Sequence, residues 1–161
     1  MNDTPKRTGS ADRVRAFLEE RGLAEGLTHF EQSTKTAAEA AEVMGCELGQ
    51  IVKSLLVVAD GTAVLALVAG DRRADLKAIG DELGAKKVRM AHADLVREAT
   101  GYAIGGVCPF DLPEELMVLV DESLTRFEVV FPAAGTPSSM VRMRFDDLER
   151  LVSGRVAHIS H

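Results

Sequence analysis

Ile51-Val52-Lys53-Ser54-Leu55-Leu56-Val57-Val58, closed by Asp60-Gly61 and followed by the apolar run Thr62 to Val68, restricts the fold of this chain more than any other stretch. Ile, Val and Leu at this density predict a β-strand, and Asp-Gly predicts a two-residue turn with φ > 0 leading into a second strand. Apolar residues occupy both alternating faces of the first strand, Ile51, Leu55 and Val57 on one and Val52, Leu56 and Val58 on the other. A strand that is apolar on both faces is normally covered on both. Lys53 therefore stands where an ammonium is costly to remove from water without a partner. Two readings fit it: a lysine near a strand end that snorkels to solvent, or a cation held in a cleft to meet an anionic or polar ligand.

The bulk properties limit what such a hairpin can belong to. A chain of 161 residues with 46% hydrophobic content predicts one globular domain with a sizeable core. No apolar run approaches the roughly 18 residues of a membrane span, and nothing behind Met1–Arg7 resembles a secretory signal, so a cytoplasmic protein with no membrane partner is expected. Two cysteines, Cys46 and Cys108, are too few for a disulfide framework and lack metal-ligand spacing. The net charge of −6 argues against a broad nucleic-acid coat, and the lack of Trp beside a single Tyr leaves little for base stacking. Any nucleic acid should be gripped over a small area, through a local basic patch.

Taken in order, residues 1–9 read as a flexible tail and 10–161 as a single domain. Ser10 is the expected N-cap of a helix carrying Val14, Phe17 and Leu18 and ending near Gly22. Leu27 to Gln32 predicts a short strand, and Thr36 with Glu39 a capping box opening an alanine-rich helix that stops at Gly45. After the hairpin come a loop at Gly70–Arg73, a helix with Leu76, Ile79 and Leu83 ending at Gly84, and a strand at Val88–Met90. A helix from about His92 to Ala99 and strands at Leu116–Val120, Phe127–Phe131 and Ser139–Met143 follow. The last element is a short amphipathic helix with Phe145, Leu148, Leu151 and Val152, succeeded by a tail. This irregular alternation is not that of a doubly wound sheet; it predicts an α/β (α+β type) domain with a mixed, strongly curved sheet and short helices around it.

Gly101-Tyr102-Ala103-Ile104-Gly105-Gly106-Val107-Cys108-Pro109-Phe110 holds three glycines, a proline and no charge. Glycines let backbone approach a ligand closely, proline stiffens the exit, and exposed N–H groups can bind a developing negative charge. A tight turn that merely needs glycine would have the same composition.

Lys53 together with this loop resembles the YbaK and prolyl-tRNA-editing family of aminoacyl-tRNA deacylases. The resemblance runs through Gln50–Leu55, Gly70-Asp71-Arg72-Arg73-Ala74-Asp75-Leu76, Gly101–Phe110 and Ala134-Gly135-Thr136-Pro137-Ser138, in the family's order, from about residue 25 onward. It implies a mixed α/β barrel-like domain that hydrolyses the ester joining a wrongly attached amino acid to tRNA, most often proline tRNA. No metal or organic cofactor is expected. The resemblance places the essential lysine at Lys53 and the pocket-shaping loop at Gly105 to Pro109, with a second glycine loop at Gly135. Backbone N–H groups of Gly105, Gly106 or Gly135 could hold the carbonyl oxygen, while Tyr102, Ile104, Val107, Cys108, Pro109, Phe110 and Ser138 would bind substrate. Arg72, Arg73 and Lys77 could meet the acceptor stem, or simply form a solvated face. Partners implied are the 3′ end of an aminoacyl-tRNA and a prolyl-tRNA synthetase.

The residues on hand suit that chemistry. Ester hydrolysis needs a positioned water and oxyanion stabilisation, and no Ser-His-Asp or Cys-His arrangement stands in a credible context. Water, the ribose hydroxyl or a cysteinyl thiol of the substrate would be the nucleophile. Cys108 reads as a wall residue, and His29, His92, His158 and His161 are scattered without ligand spacing. A freestanding trans-editing deacylase, acting on Cys- or Ala-tRNA(Pro), is the expected function. The alternative is a non-catalytic relative that binds an aminoacyl end or an amino-acid-like ligand.

Overall fold

The computed structural model describes residues 9–32 and 34–161, so the tail expected over residues 1–9 lies, but for Gly9, outside the described residues. The chain begins with helix α1 (Ser10–Glu20), strand β1 (Leu27–His29) and helix α2 (Ala37–Met44). The hairpin follows as β2 (Ile51–Ala59) and β3 (Thr62–Ala69), then α3 (Leu76–Leu83), β4 (Val88–Met90) and α4 (Ala93–Thr100). The rest is β5 (Met117–Asp121), β6 (Val129–Pro132), β7 (Ser139–Val141), β8 (Met143–Arg144), α5 (Phe145–Val152) and β9 (Arg155–Ala157).

The central hairpin forms as its composition dictates. Asp60 and Gly61 take φ of 47° and 84°, the left-handed pair that matches strand twist. β2 and β3 then pair antiparallel from Ala59↔Thr62 to Val52↔Ala69. They centre a seven-stranded mixed sheet of order β8-β6-β2-β3-β5-β9, with β4 added beside β2. β2–β6, β3–β5 and β5–β9 are parallel, the other pairs antiparallel. β1 and β7 pair separately, and an isolated bridge between Ala133 and Met140 ties that pair to the main sheet. This is the mixed, curled sheet with helices around it that the irregular alternation predicts.

Both faces of the hairpin are covered. Val52, Leu56, Leu65, Leu67 and Ala69 join the larger core with Val14 and Leu18 of α1, Val96 of α4 and Leu148 of α5. Val57, Ala59, Val64, Ala66 and Val68 pack against Ile79 of α3 and Ile159. The helix boundaries follow local chemistry: Thr36 accepts from Glu39 N at 3.1 Å and Gly45 ends α2 in the left-handed region, while Asp75 and Gly84 do the same for α3.

Three sequence expectations need correction. Gly9, not Ser10, caps α1, because the Gly9 carbonyl already accepts from Arg13 N at 3.0 Å. The strand expected at Ser139–Met143 is broken at Arg142, whose N–H turns to Gly26 O at 2.9 Å. The residues after α5 are no tail: β9 pairs with β5, and Ile159 and Ser160 are buried. What holds them is Asp121, which accepts from Ile159 N at 2.9 Å, Ser160 Oγ at 2.7 Å and Ser123 N at 3.1 Å, and from Ser123 Oγ.

Candidate active site

β2 is paired from Val52 to Ala59 with β3, but its other edge is shared between two strands that do not meet. β6 takes Ile51 and Val52, β4 takes Val57 to Ala59, and Ala91 N donates to Leu56 O at 3.0 Å. Among the described residues no strand pairs with Lys53, Ser54 or Leu55 on that edge. A cleft of about 390 Å³ opens at this gap, within the range of small-molecule sites.

The pleat divides the cleft in two. Ser54 shares its face with Val52 and Leu56, and on that face the lining residues Ala91, Val96, Val107 and Ala133 belong to or pack on the larger core. Lys53 shares the opposite face with Ile51, which packs with Ala37, Ala40 and Met140. Thr34, Lys35 and Thr36, leading into α2, complete the lining. One part is therefore a small apolar chamber, and the other carries cationic and hydroxyl groups.

Lys53 is half-buried, and its Nζ donates to the Arg72 carbonyl. That carbonyl is itself held in place. Asp71 takes a two-pronged ion pair from Arg126, at 2.7 and 3.0 Å, and Arg73 exchanges backbone hydrogen bonds with His161 at 3.0 and 2.9 Å. Burial and then the nearby Arg73 lower the Lys53 pKa from the ordinary lysine value, with Asp71 opposing them. Ser54 Oγ is shielded from solvent and has no hydrogen-bond partner among the described residues.

Two loops roof the cleft, one contributing Ile104, Gly105 and Val107 and the other Thr136, Pro137 and Ser139. They touch at their glycines: a Cβ on Gly106 would lie 2.7 Å from Gly135 O. Thr136 and Ser139 hydroxyls bond each other at 2.7 Å, and Thr34 N and Oγ1 both donate to Pro137 O, at 2.9 and 3.0 Å. Beneath the first loop Tyr102 OH donates to Phe110 O at 2.5 Å, and Arg13 of α1 reaches across from outside to the carbonyls of Gly101 and Asp111. The rim is apolar, with Ile104 61% and Met90 45% exposed.

A family model described as the aminoacyl-tRNA editing domain matches residues 31–151. The chain belongs to that family. The uncharacterized protein YwhH of Bacillus subtilis (strain 168) is 40% identical over 131 residues, 81% of this chain and 83% of its own. EbsC of Enterococcus faecalis, named as a candidate Cys-tRNA(Pro)/Cys-tRNA(Cys) deacylase, is 29% identical over 126 residues, 78% of this chain and 77% of its own. The multifunctional Ser/Thr-tRNA deacylase ProXp-y of Escherichia coli (strain K12) is 28% identical over 94% of this chain and 93% of its own. A crystal structure described as a candidate trans-editing enzyme for prolyl-tRNA synthetase superposes with a TM-score of 0.88 at 39% identity, covering 97% of this chain and 99% of that one.

Within this editing domain the residues singled out from sequence are distributed unevenly. Lys53, Ile104, Gly105 and Val107 line the cleft. Tyr102, Cys108 and Phe110 do not: all three are fully buried in the larger core and form the support of the loop rather than its inner wall. Burial pushes the Cys108 thiol up to about 11, so it is no thiolate near neutrality. Gly106 N–H already closes a turn on Ala103 O at 2.9 Å and is not available to a substrate oxygen, which corrects its expected role as a donor. Gly135 supports the second loop from beneath, where a Cβ would meet Ser10 O at 2.8 Å. Pro109 and Ser138 are outside the lining; Ser138 N is bonded to Thr136 Oγ1 at 3.2 Å, and Ser138 O accepts from Phe30 N at 2.9 Å. Arg72, Arg73 and Lys77 are exposed, and Arg72 borders a second hollow of about 290 Å³ with Asp121 and Arg126.

Ser54, Thr34, Lys35, Thr36, Ala91 and Val96 line the cleft and escaped the sequence reading. Only Ser54 left a signal, a hydroxyl inside an otherwise apolar run. Among the described residues no group of three or more His, Cys, Asp or Glu could hold a metal ion, and no helix is long and apolar enough to cross a membrane.

Proposed function

We propose that this editing-domain protein acts in trans as an aminoacyl-tRNA deacylase that removes a small amino acid from a mischarged tRNA, with Cys- and Ala-tRNA(Pro) the first substrates to test. The observation that carries the reading is the division of one cleft by the β2 edge, with Lys53 on one face and a chamber walled by Ala91, Val96, Val107 and Ala133 on the other. An aminoacyl ester has the same division: an amino acid on one side of the scissile bond, a ribose and phosphate on the other.

Lys53 meets the terminal phosphate or ribose hydroxyls, supported by Lys35 on the same lining. The chamber takes the side chain and excludes bulky ones by contact. Water attacks the ester carbonyl carbon, the bond from that carbon to the ribose oxygen breaks, and the ribose oxygen takes the proton. An ester this labile needs positioning and modest electrostatics rather than a strong base. The relatives named for Cys-tRNA and for Ser/Thr-tRNA hydrolysis support small side chains as the substrate class.

The test is single-turnover release of amino acid from Ala-, Cys-, Ser- and Thr-charged tRNA, including tRNA(Pro). Release of at least one small amino acid, well above spontaneous hydrolysis, is expected. No acceleration for any of them would overturn the proposal and favour a binding role.

A further inference from the structure

The edge of β2 that opens the cleft presents one residue with its polar groups unclaimed. Gly70 N donates to Ile51 O at 2.8 Å on the β3 side, whereas Ala91 N donates to Leu56 O on the other. Backbone groups in a strand alternate in direction, so odd residues of β2 bond toward β3 and even residues toward the opposite edge. Ser54 is an even residue lying in the gap between β6 and β4, so its N–H and its carbonyl both face the cleft. Its side-chain hydroxyl is buried and has no partner among the described residues, an independent polar group free to meet a ligand here.

The aminoacyl end of a charged tRNA resembles a single residue of an extended strand, a donor ammonium and an acceptor carbonyl on one Cα. We propose that Ser54 is the docking residue for that group, an inference that rests on the deacylase reading. The substrate adds to the open edge as a one-residue antiparallel pair: its ammonium donates to Ser54 O, and Ser54 N–H donates to the ester carbonyl oxygen. The second bond strengthens as the carbonyl oxygen gains negative charge, which is the role expected of Gly106 N–H before the structure showed it committed to Ala103.

The same geometry assigns a substrate class. Residues paired in this way stand about 5.5 Å apart at Cα with their side chains on the same face. An L-amino acid docked on Ser54 therefore directs its side chain beside the Ser54 hydroxyl, into the chamber of Ala91, Val96, Val107 and Ala133. There a hydroxyl or thiol on the substrate's β-carbon gives Ser54 Oγ its hydrogen bond, and a methyl group does not. The cleft is built for serine, cysteine or threonine in preference to alanine. A D-amino acid paired through the same two bonds would direct its side chain to the Lys53 face.

Two measurements test this. The ¹⁵N-labelled protein is titrated with adenosine carrying serine in amide linkage at the 3′ position, which cannot be hydrolysed. Separately, Ser54→Ala is compared with wild type on Ser-, Cys- and Ala-tRNA. The Ser54 amide resonance should shift as the analogue saturates. Ser54→Ala should lower kcat/KM for Ser- and Cys-tRNA about tenfold more than it does for Ala-tRNA. Its Tm should not fall, since the substitution removes a buried hydroxyl that has no partner among the described residues. A Ser54 amide that stays still while Val107 and Ala133 move, or no binding of the analogue, would overturn the docking and leave the deacylase standing. Equal loss on all three substrates would overturn the assigned specificity. A wild type inactive on every charged tRNA would remove the deacylase reading and this inference with it.

Discussion

Arg13 Nε lies 2.6 Å from Asp111 Oδ2, and the same guanidinium donates to the Asp111 carbonyl at 2.6 Å and to those of Gly101 and Thr100 at 3.5 Å. One side chain of α1 thereby clasps both ends of the loop that roofs the cleft. It covers the Tyr102 ring as well, 4.5 Å from the centroid. The clasp needs Gly101, because a Cβ there would stand 2.7 Å from Arg13 Nη1. Arg13 lies outside residues 31–151 that match the family model, so this support of the site comes from the helix that precedes the match.

Replacing Arg13 by Ala should affect the loop more than the fold. The pair with Asp111 is partly exposed, so the stability loss should be about 1 kcal/mol or less. Under the proposed function, deacylation should fall by about tenfold, because Ile104, Gly105 and Val107 of that loop line the cleft. Thermal unfolding beside single-turnover rates checks this; a Tm drop with an unchanged rate would show that the clasp serves only the fold.

Gly106→Ala tests the contact between the two roof loops. Gly106 has no positive φ, so a methyl there meets a steric problem alone, the Gly135 carbonyl at 2.7 Å. That contact is with backbone and cannot be relieved by rotating a side chain. We expect a stability cost of about 1–3 kcal/mol and a larger fractional loss of activity, read by denaturant unfolding and single-turnover rates.

Asp121 anchors the C-terminal residues, and its removal should destabilise the whole domain. Burial pushes its carboxyl up, but hydrogen bonds from Ser123, Ile159 and Ser160 together hold it below the ordinary carboxylate value. A lowered folded-state pKa contributes stability that is complete above the unfolded value, about 4, and is lost as pH falls through the lower folded value. Asp121→Ala should cost about 2–4 kcal/mol at neutral pH and show a flatter acid limb than wild type, measured by urea unfolding across pH 2–7.

Lys53 should govern the alkaline side of the rate profile. Burial and Arg73 favour its neutral form, so the charge that would meet phosphate is lost at lower pH than for a free lysine. The kcat/KM should therefore descend on the alkaline side, with its midpoint below the ordinary lysine value. Lys53→Arg should remove that descent, because guanidinium stays charged throughout the accessible range. A wild-type profile with no alkaline descent would argue against a charged Lys53 in the reaction.

The sheet's centre and the helix ends were legible because they depend on neighbours in sequence. Asp60-Gly61 specifies its own turn, and Thr36, Gly45 and Gly84 specify their own caps. The gap at Lys53–Leu55 was not legible. Alternation shows which face a side chain takes but not which strand pairs with each edge, and β6 and β4 come from about 80 and 30 residues downstream. For the same reason Tyr102, Cys108 and Phe110 read as pocket wall. Their loop composition was plain, whereas the burial that turns them into its support depends on α1 and the core. The end of the chain misled because Ile159 and Ser160 are held by Asp121, 38 and 39 residues away, through bonds that no local pattern announces.

In the proposed deacylation, Lys53 at the β2 gap is the side chain on which the reaction most depends. The measurement that tests it most directly is single-turnover release of amino acid from the best small-residue charged tRNA, wild type beside Lys53→Ala. Wild type should release the amino acid fast, and Lys53→Ala, with its fold intact, should lose at least about a hundredfold. Release by Lys53→Ala at the wild-type rate would contradict it.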